Sequence, residues 1–391
     1  MADKEPGFPY LEPRSGLVMT ADTTTSNNSA SQELIALAAW VFADDASQLT
    51  WEMLRELRLQ HIAAPLLRER LPEDATAECR RAFTAMHMLD IKQEHAFSEL
   101  EKLFREHGID CCPIKGADLA WRVWPSGAFR TKCDLDIWVR REDHRRALEL
   151  LASAGWKTPY HYRHRYHEAM MFKQGVVLEL HFLLPNFDPA ATEAMLADFK
   201  PISPYRYQLS LESNLLLLFT HSFQHRWHNG VQLLMDCGFL IRHEGAPDWN
   251  NLRRLAKACR LAPPSLLFRA FPEFFPPGAM PDEKFPPEII NTFRKLVWEA
   301  PPSNTQSAER VMGVPERFSL KWWRARLAAF RPSAVRMQTG NPRGHYGKLL
   351  VGYWRVGAKK IKLFWQFRHG STDAALKERI DDEKRIEKFL S

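Results

Sequence analysis

The sequence predicts an α+β protein in which a small mixed β-sheet is embedded between helical N-terminal and C-terminal regions. Two observations lead to this prediction. Apolar residues recur three or four positions apart in much of residues 31–108 and again from about residue 211 to 259, which is the period of an amphipathic helix. Between these regions, short apolar segments with strand-like alternation are separated by helical segments. We therefore expect a compact core of strands and helices over residues 109–205.

The N-terminal helical region is predicted over residues 31–108. Leu34 and Leu37 begin one apolar face, and apolar residues of the same period predict a longer helix over residues 82–106. Gly108 follows this run, and glycine is common immediately after the C-terminus of a helix. We therefore expect the helical region to end there.

Three segments of the core are predicted to be strands. Residues 109–114 are short and apolar, residues 134–139 alternate strictly, and residues 176–184 form a third apolar segment. Lys115 and Gly116 are predicted to form a turn after the first strand, with a short helix following them. This order of elements predicts one compact domain.

The chain after the core is predicted to contain three regions. They are a helical domain over residues 206–262, a connector over 263–315 and a basic, aromatic region over 316–391 that ends in a charged helix. Residues 263–302 contain 10 prolines, and a proline inside a helix removes a hydrogen bond and clashes with the preceding turn. We therefore expect the connector to lack long regular elements.

Composition excludes several classes of protein. The charged share of 26% and the apolar share of 45% are typical of a globular protein, and no apolar run approaches the ~18 residues that span a bilayer. Residues 1–30 lack the apolar segment of a secretory signal and are predicted to be a disordered leader. The cysteines lack the paired spacing of a zinc site, so we expect buried free thiols and a cytoplasmic protein. They are Cys79, Cys111, Cys112, Cys133, Cys237 and Cys259.

The positive charge is concentrated near the C-terminus. Residues 317–372 contain 13 Lys and Arg and no Asp or Glu, whereas the whole chain has a formal charge of +7. Aromatic residues such as Trp322 and Trp323 alternate with these cations. Three interpretations stay open: peripheral contact with an anionic membrane at the inner membrane surface, contact with RNA or an acidic polymer, or a folded subdomain with an aromatic core.

Asp134 and Asp136 are the first candidates for chemistry. Two carboxylates at positions i and i+2 of a strand point to the same face and can bind one or two divalent cations. Glu179, between apolar neighbours on the third predicted strand, is the candidate third metal ligand or general base. Phosphoryl and nucleotidyl transfer requires such a site, in which Mg²⁺ ions bridge the triphosphate and the attacking oxygen. The alternative is an exposed polar face on an edge strand.

Three motifs of the core occur in a fixed order. They are PIKGADLA at 113–120, RTKCDLDIWV at 130–139 and LELHF at 178–182. Together they resemble a poorly characterised family of bacterial nucleotidyltransferases in the polymerase-β-like superfamily. The resemblance covers roughly residues 35–260 and includes QHIAAPLL at 60–67. It implies a polymerase-β-like nucleotidyltransferase core, with NTP as substrate and two Mg²⁺ ions.

Residues around the predicted turn are candidates for binding the phosphates. Gly116 permits close approach of the backbone to a phosphate, and Lys115 supplies a point charge where the superfamily normally has a Gly-Ser turn. Arg130 and Lys132 are predicted to neutralise phosphate. For Arg130 and Lys132, and for Arg122 on the short helix, the alternative is a structural salt bridge to Asp118 or Asp134.

Several histidines are further candidates. His181 lies two residues after Glu179, on the same strand face, and either orients that carboxylate, contacts the nucleotide or has a structural role. His161 and its neighbours His164 and His167 are predicted to form a basic loop at the mouth of the site. Farther along the chain, the helical residues His221, His225 and Asp236 are predicted to join the helical domain to the core, and the alternative is contact with the substrate.

The sequence therefore predicts a Mg²⁺-dependent nucleotidyltransferase. It would transfer an NMP from an NTP to a hydroxyl or phosphate of a small molecule, glycan precursor or peptide. One alternative is a toxin-like nucleotidyltransferase that modifies tRNA. The other is a non-catalytic scaffold of a membrane-associated biosynthetic complex.

Overall fold

The computed structural model describes residues 26–158, 168–184, 187, 189–197, 199–299 and 374–390. The predicted histidine loop around His164 and the basic segment 317–372 lie outside the described residues, as does most of the predicted leader. The first helix begins at Ser26, so the last residues of that leader are helical.

From residue 26 onwards, four helices precede the sheet, as the apolar periodicity predicted. They are α1 (Ser26–Ala43), α2 (Trp51–Glu56), α3 (Gln60–Leu67) and α4 (Glu73–Glu106). The hydroxyl of Thr50 caps α2 by accepting a hydrogen bond from the backbone N–H of Met53 at 3.3 Å, which satisfies a donor that the helix itself leaves unpaired. After α4, Gly108 adopts a φ of +64°, a conformation that favours glycine. The chain turns there into the sheet.

The sheet is mixed and has six strands in the order β3-β4-β2-β1-β6-β5. The strands are β1 (Cys111–Pro113), β2 (Leu135–Val139), β3 (Glu168–Lys173), β4 (Val176–His181), β5 (Lys200–Ser203) and β6 (Arg206–Gln208). β2 pairs with β4 in parallel and β1 pairs with β6 in parallel, and the other pairs are antiparallel. The α+β class and the mixed sheet are confirmed, and the sheet extends beyond residue 205, where the sequence placed the end of the core.

The register between β2 and β4 positions the candidate carboxylates. Asp136 lies opposite Glu179, and the preceding pair is Leu135 with Leu178. Both leucines are fully buried. Because side chains alternate along a strand, the buried leucines fix which face carries the acids.

Helices α4 and α6 (His144–Ser153) cover one face of the sheet. The apolar side chains of β2, including Leu135 and Ile137, pack there against residues of α4 such as Leu100 and Phe104. The other face carries Asp136 and Trp138, and Trp138 belongs to a second, larger core. The strict alternation of β2 therefore separates an apolar core from the side of the sheet where the acids lie.

The larger core contains the remaining helices. They are α5 (Lys115–Arg122), α7 (Pro189–Leu196), α8 (Leu211–Gln224), α9 (Gly230–Glu244), α10 (Trp249–Ala258), α11 (Ser265–Ala270), α12 (Pro287–Trp298) and α13 (Ala374–Leu390). The helical interpretation of residues 211–259 is confirmed, with a break between α8 and α9. A Cβ at Gly230 would collide with the backbone carbonyl of Val297. The start of α9 therefore packs directly against α12.

The proline-rich connector differs from the prediction. It contains α12, a helix of 12 residues, and its phenylalanines Phe271 and Phe274 are buried in the larger core. The reason is the position of the prolines. Pro286 and Pro287 stand at the beginning of α12, where the N–H that proline lacks would have no partner within the helix.

The charged C-terminal helix is also confirmed, and it packs on α12. Its buried Arg379 donates hydrogen bonds to the carbonyl oxygens of Leu296 and Glu299, each at 3.2 Å. No helix within the described ranges is long and apolar enough to cross a bilayer. All six cysteines are free, but Cys133 is exposed because it lies in the loop before β2, so the prediction of burial was wrong for this residue.

Candidate active site

A cleft of about 680 Å³ lies between the acid-bearing face of the sheet and helices α8 and α9. Lys115, Asp134, Asp136 and Glu179 line it on the sheet side. The opposite wall comes from α8, α9 and the connection between α2 and α3. Its volume lies within the range of pockets that hold small ligands.

Asp136 is buried at the base of the cleft, with 4% of its surface exposed. Its Oδ1 accepts hydrogen bonds from Lys115 Nζ at 2.7 Å and from His181 Nε2 at 2.8 Å. Burial alone would raise the pKa of Asp136, but the charge of Lys115 and the hydrogen bond from His181 hold it well below its usual range. Asp136 is therefore ionised at neutral pH.

Lys115 is the first residue of α5 and has a φ of +51°, so the predicted turn is the beginning of a helix. Burial lowers the pKa of its ammonium group, but the charge of Asp136 outweighs this effect and raises the pKa above its ordinary value. Lys115 is thus a charged group that lies against a candidate metal ligand.

Asp134 lies immediately before β2 and is partly exposed. Burial and the neighbouring charge of Asp136 raise the pKa of Asp134 to about 6. The two acids therefore differ in their electrostatic environment, although the alternation places both on one face. The negative charge of Asp136 is compensated by Lys115 and His181, whereas the ionised form of Asp134 is destabilised by the negative charge of Asp136.

Three residues bring their potential ligand atoms together. Atoms of Asp136, Glu179 and His181 all lie within 4.8 Å of one another, and His181 Nε2 lies 3.7 Å from Glu179 Oε2. Carboxylate oxygens suit Mg²⁺ and Mn²⁺, and an imidazole nitrogen is compatible with Mn²⁺ and other transition ions. The donor set therefore fits a divalent cation. It differs from the predicted set because His181 joins the group and Asp134 does not.

Arg130 has a partner that the sequence did not indicate. Its Nε donates to Asp236 Oδ1 at 2.8 Å, and its Nη2 donates to Asp236 Oδ2 at 2.7 Å. Trp124 Nε1 donates to the same Oδ1 at 2.9 Å. The salt bridge to Asp118 or Asp134 considered for Arg130 was the wrong pairing. Asp236 does join the helical region to the core, as predicted.

Lys132 and Arg122 are also engaged by carboxylates. Lys132 Nζ bonds the carboxylate of Asp90 on α4 and donates to the carbonyl oxygen of Gly127 at 3.3 Å. Arg122 donates from Nε and Nη2 to the two oxygens of Asp118, at 2.8 and 2.7 Å. The pair of Arg122 with Asp118 is the structural salt bridge that the sequence offered as the alternative. Arg122 Nη1 also donates to Glu244 Oε1 of α9 at 2.5 Å, so Lys132 fixes the loop before β2 to α4 and Arg122 fixes α5 to α9.

Gly116 packs against the Arg130 side chain. A Cβ at this position would collide with the guanidinium group of Arg130. Since that group is held by Asp236, it cannot move away without breaking a buried ion pair. The packing thus requires glycine here independently of any phosphate.

His221 and His225 lie on the helical wall of the cleft. Their ring centroids are 4.4 Å apart. Burial lowers the pKa of His221 to about 3, and the positive charge of Lys115 contributes to the decrease. The imidazole is therefore neutral at pH 7. The broken helix places these rings in the cleft, whereas the sequence favoured a structural role at the joint between domains.

Arg58 is a cleft residue that the sequence analysis missed. It lies in the connection between α2 and α3, is exposed and has a φ of +60°. A single arginine in a surface connection does not form a recognisable sequence motif. The one available signal was its position two residues before the QHIAAPLL segment.

Comparison with known proteins identifies the family. Residues 36–275 match the model of a family described as uncharacterised nucleotidyltransferases. The chain belongs to this family. The match covers more than half of the chain, including the whole sheet and helices α2 to α11, and it confirms the resemblance seen in the motifs. No curated protein and no solved structure matches the chain. This nucleotidyltransferase thus has an NTP as its implied substrate and a group of buried side chains that can hold a metal ion.

Proposed function

We propose that this protein is a Mg²⁺-dependent enzyme that transfers an NMP from an NTP to a hydroxyl or phosphate of an acceptor and releases pyrophosphate. The observation that carries the proposal is the pairing of Asp136 with Glu179 on adjacent parallel strands, facing a cleft. Family membership supports the reaction class. The proposed acceptors are a small molecule, a glycan precursor or a peptide.

Asp136 and Glu179 are the proposed metal ligands, with Asp134 in a second position at the mouth of the cleft for another ion. Among the described residues, both hydrogen bonds to the Asp136 carboxylate fall on Oδ1, so Oδ2 is the oxygen that we propose for a cation. His181 orients the carboxylate or adds a nitrogen ligand. A bound divalent cation would stabilise the charge that develops on the phosphates during transfer.

Glu179 has a second proposed role. Its side chain is 15% exposed, so it reaches the cleft while its strand neighbours are buried. A carboxylate in this position can accept the proton of an acceptor hydroxyl. Lys115 and Gly116 are proposed to lie beside the phosphates. Arg130 and Lys132 hold carboxylates of other elements, so we assign them a positioning role.

The proposed reaction is tested by following the label of an α-labelled NTP into a product. The protein is incubated with each α-labelled NTP, Mg²⁺ and a cell lysate, and the labelled product is isolated. We expect one NTP to transfer label, and we expect Glu179→Gln and Asp134→Asn to lose most of that transfer. Glu149→Gln is the matched control, because Glu149 is 65% exposed and pairs only with Arg145 in the described structure.

Asp136→Ala is not an informative variant for this test. It would leave the charge of Lys115 buried without its partner, and an uncompensated buried charge is strongly destabilising. Asp136→Asn preserves the shape of the side chain but removes the same charge, so Glu179→Gln and Asp134→Asn are preferred. Full label transfer by Glu179→Gln, or no transfer from any NTP by the wild-type protein, would contradict the proposal.

A further inference from the structure

Arg130 and Lys132, the cations that the sequence predicted to neutralise phosphate, are already engaged by other carboxylates. Both donor groups of Arg130 that face Asp236 are engaged in a bidentate pair, and both residues are buried. The ammonium group of Lys132 bonds Asp90 and lies 5.1 Å from the centroid of the Trp121 ring. Removing one member of a buried pair is costly. These two cations are therefore poorly placed to bind a triphosphate, because each would have to leave a buried partner.

The opposite wall of the same cleft carries donors of another kind. Arg58, His221 and His225 all line it, and we call these three residues the donor wall. Within the described part of the chain, the guanidinium group of Arg58 has no hydrogen bond or ion pair. Its donors and the N–H groups of the two imidazoles are suited to phosphate oxygens.

The charges that act on His221 support the view that this residue lies close to the base of the cleft. The pKa of His221 responds to the charges of Lys115, Arg130 and Asp136, and to His225 beside it. His221 therefore lies within electrostatic range of the base of the cleft. A nucleotide with its α-phosphate near Asp136 would extend the rest of its phosphate chain towards this wall.

We propose that the donor wall, Arg58 with His221 and His225, is the subsite that binds the β- and γ-phosphates of the NTP and then the pyrophosphate product. This inference rests on the proposed nucleotidyl transfer. It assigns phosphate recognition to the helical side of the cleft, whereas the motifs around β2 assigned it to Arg130 and Lys132.

Calorimetry with inorganic pyrophosphate and with a non-hydrolysable NTP analogue, both in the presence of Mg²⁺, tests the subsite. We expect Arg58→Gln to weaken the binding of pyrophosphate by about tenfold or more, the effect of one charge-assisted hydrogen bond. The double variant His221→Gln/His225→Gln is expected to weaken it by a similar factor. Circular dichroism and urea midpoints establish that each variant is folded.

Two exposed residues outside the cleft provide matched controls. Arg55→Gln lies on α2, one turn before Arg58, and His243→Gln lies on α9. Neither lines the cleft, and we expect both variants to bind pyrophosphate within about twofold of the wild-type protein.

The outcomes separate this inference from the reaction itself. If folded wall variants bind pyrophosphate with unchanged affinity, the proposed subsite is wrong. Label transfer by the wild-type protein would still support the proposed reaction. Loss of affinity in the wall variants of a protein that transfers no label would support the anion subsite and contradict the proposed reaction. Failure of the wild-type protein to bind either ligand would overturn the subsite.

Discussion

Arg130 and Asp236 form a bidentate ion pair between the loop that precedes β2 and helix α9. Both side chains are buried, with 8% and 1% of their surfaces exposed. Burial opposes the charge of Arg130, but Asp236 outweighs that effect and raises the pKa of the guanidinium group. The pair therefore joins the acid-bearing part of the sheet to the helical side of the cleft.

Loss of one partner of this pair should destabilise the fold. We expect Arg130→Met to lower the free energy of unfolding by about 3–5 kcal/mol, because Asp236 would remain buried and charged. Urea denaturation monitored by circular dichroism measures this. The double variant Arg130→Met/Asp236→Leu should recover much of the loss, since an apolar pair removes the uncompensated charge.

The exposed pair of Arg145 with Glu149 provides the control for that experiment. Arg145→Met should change the free energy of unfolding by less than about 1 kcal/mol, as is usual for an exposed ion pair. A fully stable Arg130→Met protein with weakened NTP binding would instead indicate the phosphate contact predicted from the sequence.

Gly116→Ala should be destabilising through Arg130. The added methyl group would meet a guanidinium group that Asp236 holds in place, so we expect a loss of about 1–3 kcal/mol in the free energy of unfolding. In an Arg130→Met background the same substitution should cost less, because the shorter thioether side chain can move. Equal costs in the two backgrounds would show that the collision is not the cause.

The sequence predicted the parts of the site that depend on local pattern. Alternation in β2 and the apolar neighbours of Glu179 were sufficient to place acids on strand faces. The partner of Arg130 was not predictable in this way, because Asp236 is 106 positions away and no local period relates the two. The number of prolines also led to the wrong prediction for the segment that contains α12. Composition alone does not show that Pro286 and Pro287 stand at the start of a helix.

Glu179→Gln should weaken the binding of a divalent cation. Its carboxylate lies with the ligand atoms of Asp136 and His181 in a group that spans less than 4.8 Å, and an amide is a poorer ligand for a hard cation than a carboxylate. We expect the affinity for Mn²⁺, measured from the electron paramagnetic resonance of the free ion, to fall by about tenfold or more. Glu149→Gln should leave it unchanged, and equal affinities of both variants would argue against this site.

His221 should make folding stability depend on pH. Its pKa is about 3 in the folded protein and its ordinary value is 6.5, so the unfolded chain binds a proton that the folded chain does not. The folded state therefore loses stability as the pH falls through 6.5 towards 3. Its neighbours Lys115 and His225, and the more distant Arg130, disfavour protonation, whereas Asp136 favours it.

Urea denaturation at pH 7 and pH 5 measures the contribution of His221. Between these values, we expect the decrease in the free energy of unfolding to be smaller in His221→Gln than in the wild-type protein, by about 2 kcal/mol. His243→Gln should behave as the wild-type protein does, because His243 is exposed on α9. An identical pH dependence in all three proteins would show that His221 titrates normally in the folded state.

The parallel register of β2 and β4 has a consequence for how this enzyme can diverge. A longer connection between α6 and β3 would leave Asp136 opposite Glu179, because the buried residues Leu135 and Leu178 hold the two strands together. Deletion of one residue within β4 would instead turn Glu179 towards the apolar core. The connection between α6 and β3 can therefore change in length while the two carboxylates that line the cleft keep their relative positions.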